Sequence, residues 1–138
     1  MRFLRKKNHA IKIVYSHDYF FGLDGLPLFD VMRFKKIRDK LIEAKLLHRK
    51  DVLVPEMVDY DDLHLVHKPA YLRSIRDPMQ VAQILKIEHL DPFDTHVLEY
   101  FRIVTGGTLL ATEYALKKGI VVFNLGGGFH HAHRDRGG

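Results

Sequence analysis

Two adjacent histidines, His130 and His131, follow directly on Gly126, Gly127, Gly128 and Phe129, with His133 and Asp135 close behind. An imidazole with a reference pKa of roughly 6.5 accepts or gives a proton at neutral pH. Consecutive imidazoles can serve one cleft where the backbone is irregular, and Asp135 is near enough in sequence to orient them. Glycines permit positive φ and let a ligand come close to the main chain. The stretch admits four readings: a glycine-rich turn, a phosphate cradle, a pair of catalytic histidines, or a metal site of His130, His131 and His133. A phosphate cradle lacks its usual supports, since neither GxGxxG nor GxxxxGK[ST] is present and no helix pattern comes after it. A metal site would require neighbouring side chains to converge on one ion. A tandem pair at a strand end, unlike a lone histidine, points to catalysis.

Such a loop has to be positioned. The apolar run Ile120 to Phe123 reads as a buried strand, and in parallel α/β folds the chemistry lies beyond the carboxyl ends of strands. Residues 10–15, AIKIVY, predict another strand. The loop from Ser16 to Pro27 should leave it on the same side, so that His17, Asp18, Tyr19 and Phe20 either line the cleft or cover the sheet edge. Asp30 is a candidate N-cap for an amphipathic helix reaching about Leu47, with apolar positions Phe34, Ile37, Leu41, Ala44, Leu46 and Leu47 and a basic outer face. Along it Glu43 can pair with Lys36 or Lys40. Residues 51–55 are extended. Asp59, Asp61 and Asp62 suit a helix N-terminus, and Pro69 divides the segment after them into two short helices meeting at Lys68. His64 and His67 can share a face there, as surface or capping residues. Pro78 to Ile87 is a further short helix. A long helix capped by Asp94 or Thr95 runs to Lys118, with Val97, Phe101, Val104, Thr108, Ala111 and Ala115 inward. Gly106 and Gly107 in its middle each cost about 1 kcal/mol relative to alanine, which predicts close approach to another backbone, that of the sheet. Strands separated by helices imply a parallel sheet with helices on both faces, a three-layer α/β/α arrangement. Two or three strands are few for such a sheet, so residues 1–138 are expected to be the N-terminal portion of a single larger domain.

Composition sets outer limits. The 138 residues are 46% hydrophobic and 28% charged, which excludes a disordered chain, and no apolar run is long enough to cross a bilayer. The absence of cysteine excludes disulfides and thiolate metal sites. The net charge of +5 is spread over separate helix faces without interleaved aromatics, so no nucleic-acid partner is expected. The basic N-terminus lacks the apolar core of a signal peptide, and the expected location is the cytoplasm.

Several segments resemble the histone deacetylase family. LGGGFHHA, Leu125 to Ala132, is similar to its tandem-histidine motif, and DRGG, Asp135 to Gly138, resembles the class IV branch. LVHKPAYL (Leu65–Leu72) is similar to the family's VH-x-x-x-YL segment, TGGTLLATEYAL (Thr105–Leu116) to its glycine-pair helix, and FDVMRF (Phe29–Phe34) to the entry of its first long helix. The resemblance implies an arginase/deacetylase-type α/β fold, incomplete in this chain. It also implies a zinc-dependent hydrolase acting on acetyl-lysine or a related small acyl amide. His131 would be the general base on a metal-bound water, and His130 would hydrogen-bond that water. Phe129 would line the acyl tunnel beside Gly128. The family's metal ligands and its transition-state tyrosine come later in sequence. Asp62-Leu63-His64 and Asp94-Thr95-His96 match the Asp-x-His ligand string but precede the histidine pair, so no metal ligand is assigned in this chain. The family's His-Pro ahead of the first helix is altered to Pro27-Leu28. The chain alone should be inactive. The competing expectation is a non-catalytic remnant or interaction module that binds a partner through its open sheet edge.

Overall fold

The computed structural model describes residues 11–19, 32–88, 96–128 and 131–137. Its elements are β1 (Ile11–Val14), α1 (Arg33–Glu43), a 3-10 turn at Arg49–Asp51, β2 (Val52–Leu53), α2 (Tyr60–His64), α3 (Pro69–Ser74), α4 (Pro78–Leu85), α5 (His96–Lys118) and β3 (Val121–Asn124). The order is the expected one. The sheet runs β2-β1-β3 with both pairings parallel, Ile13 lying opposite Val52 on one side and Phe123 on the other. The ladder continues past the strand ends through the Tyr15 N–H to the Leu53 carbonyl and the Leu125 N–H to the Val14 carbonyl.

Side chains alternate across a strand, and this sorts the layers. Lys12 and Asn124 face α5, Lys12 lying over the Tyr114 ring and Asn124 bonding to the Val104 carbonyl. Tyr15 has the opposite parity, and the Arg38 guanidinium of α1 sits 4.4 Å above its ring. Helices thus lie on both faces. The core at the carboxyl end of the sheet joins Tyr15, Tyr19 and Phe34 to Val81, Ala82 and Leu85 of α4 and to Val97, Tyr100, Ile103 and Val104 of α5.

Local chemistry accounts for the element ends. Asp59 caps α2 by accepting from the Asp62 N–H, and Asp77 caps α4 by accepting from the Met79 N–H. Pro69 and Pro78 occupy first helical turns, where a missing N–H costs nothing. Gly119 closes α5 at φ 62, the left-handed position that favours glycine. Among helix-face pairs, Lys40 Nζ meets Glu43 at 2.7 Å.

Three expectations change. α1 begins at Arg33 after an N-cap at Met32 and stops at Ala44, where Lys45 turns to φ 56; Asp30 lies outside the described residues, and Leu46 is exposed while Leu47 is buried. The buried face of α5 takes in Tyr100 and Ile103 and leaves Ala115 only half buried, while Thr108 is exposed yet still meets the sheet at Asn124, because the helix is seated by its glycines. At Gly106 a Cβ would overlap the Glu56 carbonyl oxygen, and at Gly107 it would overlap the Tyr19 hydroxyl and crowd Asn124. The close approach is therefore to the segment after β2 and to the mouth of the sheet. That segment is held by Arg102, whose Nε donates to the Val58 carbonyl at 2.8 Å. Finally, β3 is not buried. Among the described residues it lies at the sheet edge, and Val121 and Phe123 remain 49% and 54% exposed, because no described element covers them on the face opposite α5.

Candidate functional site

The loops that leave β1 and β3 meet at the carboxyl end of the sheet, and Tyr19 is where they touch. Its phenol is buried among apolar groups and close to Tyr100, which holds its pKa well above the ordinary tyrosine value. It is therefore a neutral donor, and it donates to Asn124 Oδ1 at 2.8 Å. The same oxygen accepts from the Gly126 N–H at 3.2 Å. Asn124 Nδ2 donates to the Val104 carbonyl at 3.0 Å and to Thr108 Oγ1 at 3.1 Å. Every hydrogen-bonding position of this amide is used. One side chain therefore ties α5, the loop after β1 and the start of the glycine run together. Tyr100 adds a second tie, its hydroxyl donating to the Gly127 carbonyl at 3.3 Å.

The glycines play different parts from those expected. Among the described residues only Gly119 has a glycine's positive φ, so none of Gly126, Gly127 and Gly128 takes the left-handed conformation. Gly126 is buried against the Tyr19 ring, where a Cβ would come within 2.5 Å of a ring carbon. Gly127 and Gly128 face open space, which leaves their backbone approachable from solvent. Phe129 and His130 lie outside the described residues. His131 begins the next described segment and is exposed.

That segment is docked on the α2–α3 hinge. His67 Nδ1 bonds to the His133 carbonyl at 3.0 Å, and the Lys68 N–H donates to the Arg134 carbonyl at 2.8 Å. Asp135 pairs with Lys68 Nζ at 2.6 Å and lies 3.7 Å from Arg136. These cations, Lys68 foremost, hold its carboxyl below the usual aspartate range. Asp135 is thus paired with Lys68, on the α2–α3 side of the loop. His133 is turned towards α2 and α3 by its main chain.

Other candidate residues separate. His17 lies 3.3 Å from Arg38 Nη1 and edge-on to Tyr15, on the α1 side of the sheet. Asp18 exchanges hydrogen bonds with Ser16. Of the loop after β1, only Tyr19 reaches the glycine run among the described residues; Phe20 lies outside them. His67 is tilted against the Tyr71 ring, and His64 is exposed. Among the described residues no three His, Asp or Glu side chains gather closely enough to hold a metal ion, and no helix is long and apolar enough to cross a membrane.

Sequence reasoning missed Asn124 and Tyr100. The signal for Asn124 is an amide at the end of an otherwise apolar strand, which must find partners wherever it is covered.

Comparison with known proteins bears on the whole arrangement. The histone deacetylase domain model matches residues 28–138. Histone deacetylase 2 of Arabidopsis thaliana is 32% identical, the alignment covering 93% of this chain and 35% of that protein. The acetoin utilization protein AcuC of Staphylococcus aureus is 27% identical over 78% of this chain and 30% of its own length. Among solved structures, an HDAC homolog from Aquifex aeolicus superposes with a TM-score of 0.61 at 21% identity, covering 92% of this chain and 36% of that one. The fold is of this α/β type, and the chain spans about a third of the length of the relatives it matches.

Proposed function

Because the chain belongs to the histone deacetylase domain family, we propose that it is the N-terminal part of a single deacetylase domain hydrolysing an acyl amide, acetyl-lysine or a smaller relative. His131 is the general base that takes the proton of the attacking water, and His130 donates a hydrogen bond that holds that water and steadies developing charge. Gly128 and Phe129 border the acyl group. The observation that carries the reading is the glycine run ahead of these histidines. It is tied through Gly126 and Gly127 to Asn124 and Tyr100 at the carboxyl end of a parallel sheet, which limits how far a base just beyond it can wander. The described residues do not make a zinc site. Zinc belongs, in this reading, to the complete domain and to ligands outside this chain.

The test is an in-frame protein extended beyond Gly138, assayed on an acetyl-lysine peptide. Deacetylation that falls about 10²- to 10⁴-fold in His131→Ala supports the assignment. Turnover indifferent to that substitution overturns it.

A second reading, a non-catalytic interaction module, is favoured by β3. Among the described residues β3 has a strand on one side only, and Val121 and Phe123 are half exposed. An extended protein without amide hydrolysis, in which Phe123→Lys abolishes capture of a partner, would favour it.

A further inference from the structure

We propose that His67 and Lys68 are positioning residues for the tandem-histidine loop, gripping the chain just after His131 by its main chain; the proposal rests on the deacetylase reading for what the loop does, and on geometry for how it is held.

The grip originates in Pro69. A residue before proline is pushed out of the helical region, and Lys68 has φ -66 and ψ 139. Its N–H is thereby turned away from the helix it begins and donates to Arg134 O at 2.8 Å. The neighbouring His67 ring reaches the preceding carbonyl, His133 O, at 3.0 Å. A carbonyl only accepts, so Nδ1 carries the proton. Two successive carbonyls are therefore taken by two successive residues of one hinge. The captured segment is closed on itself by the His133 N–H to Arg136 O bond. It is also seated tightly: a Cβ at Gly137 would come within 3.0 Å of the Tyr71 hydroxyl and 3.2 Å of Ile84 Cγ2. The loop bearing His130 and His131 is thus anchored before them, at Gly126 and Gly127 by Asn124 and Tyr100, and after them, at His133 and Arg134. The exposed Lys68–Asp135 ion pair is a minor contributor, as surface pairs are.

Amide hydrogen exchange on the ¹⁵N-labelled 138-residue chain tests this. His67→Phe keeps a ring against Tyr71 and donates nothing; His67→Asn places an amide nitrogen where Nδ1 was. In His67→Phe the Lys68 and His133 amides should exchange at least about tenfold faster, and the His131 amide resonance should move towards its random-coil position. His67→Asn should restore most of the protection. The Leu125 amide, bonded to Val14 O in the sheet, should be unchanged throughout, which separates local release from unfolding. Unaltered Lys68 and His133 exchange in His67→Phe, or an asparagine variant no better than phenylalanine, overturns the proposal. The readout is exchange and not turnover, so an inactive extended protein would count against the catalytic reading alone.

Discussion

Asn124 is the residue on which most of the site geometry depends. Replacing it with leucine keeps the approximate volume but leaves the Tyr19 hydroxyl, the Gly126 N–H and the Val104 carbonyl each short of a partner. The expected loss of stability in urea denaturation is about 3 kcal/mol, and Asn124→Asp, which keeps the acceptor and loses the donor, should fall in between. The phenols make a second prediction. Burial raises the pKa of Tyr19, Tyr100 and Tyr71, so the folded state holds these protons more tightly than the unfolded chain. Their contribution is intact below the unfolded value of roughly 10 and is lost as pH rises from there through the folded values. Circular dichroism across that range should show alkaline unfolding that Tyr19→Phe blunts. None of this was legible at the residue level. The tandem histidines announce themselves by adjacency, whereas the Tyr19–Asn124 bond joins residues 105 positions apart, and no local pattern reports such a pair.

The elements were easier to read, because hydrophobic spacing, prolines and capping aspartates act locally. The meeting of α2 and α3 at Lys68, the Asp59 cap and the Gly119 stop are all set by neighbouring residues. What local pattern could not supply was exposure. Ile120 to Phe123 has the composition of a covered strand, yet its burial depends on what lies across the sheet. Gly106 and Gly107 stand between these cases: their presence inside a helix predicted a close approach, but not that its targets were Glu56, Tyr19 and Asn124. Gly106→Ala should therefore cost about 2 kcal/mol or more, in spite of the roughly 1 kcal/mol that alanine propensity would gain at an uncrowded helix site, since the obstacle is a backbone carbonyl. Thermal denaturation of Gly106→Ala beside Thr112→Ala, an exposed α5 position, provides the comparison.

At the scale of the whole molecule, the central strand of the described sheet precedes both its neighbours in the chain. β1 finds β2 within a short stretch, Lys12 and Asp51 being 39 residues apart, but its other neighbour is β3, near the far end of the chain. Contacts so distant in sequence slow folding, and stopped-flow refolding is expected on the millisecond-to-second scale, well behind helical domains of this length. Biosynthesis sharpens the point. At about 5–20 residues per second, some 5–20 seconds pass between the emergence of Tyr19 and that of Asn124. For that interval a nascent chain carries Ile13, Val14 and Tyr15 with at least one flank unpaired, a sticky ribbon at the ribosome exit that a holding chaperone would be suited to shield.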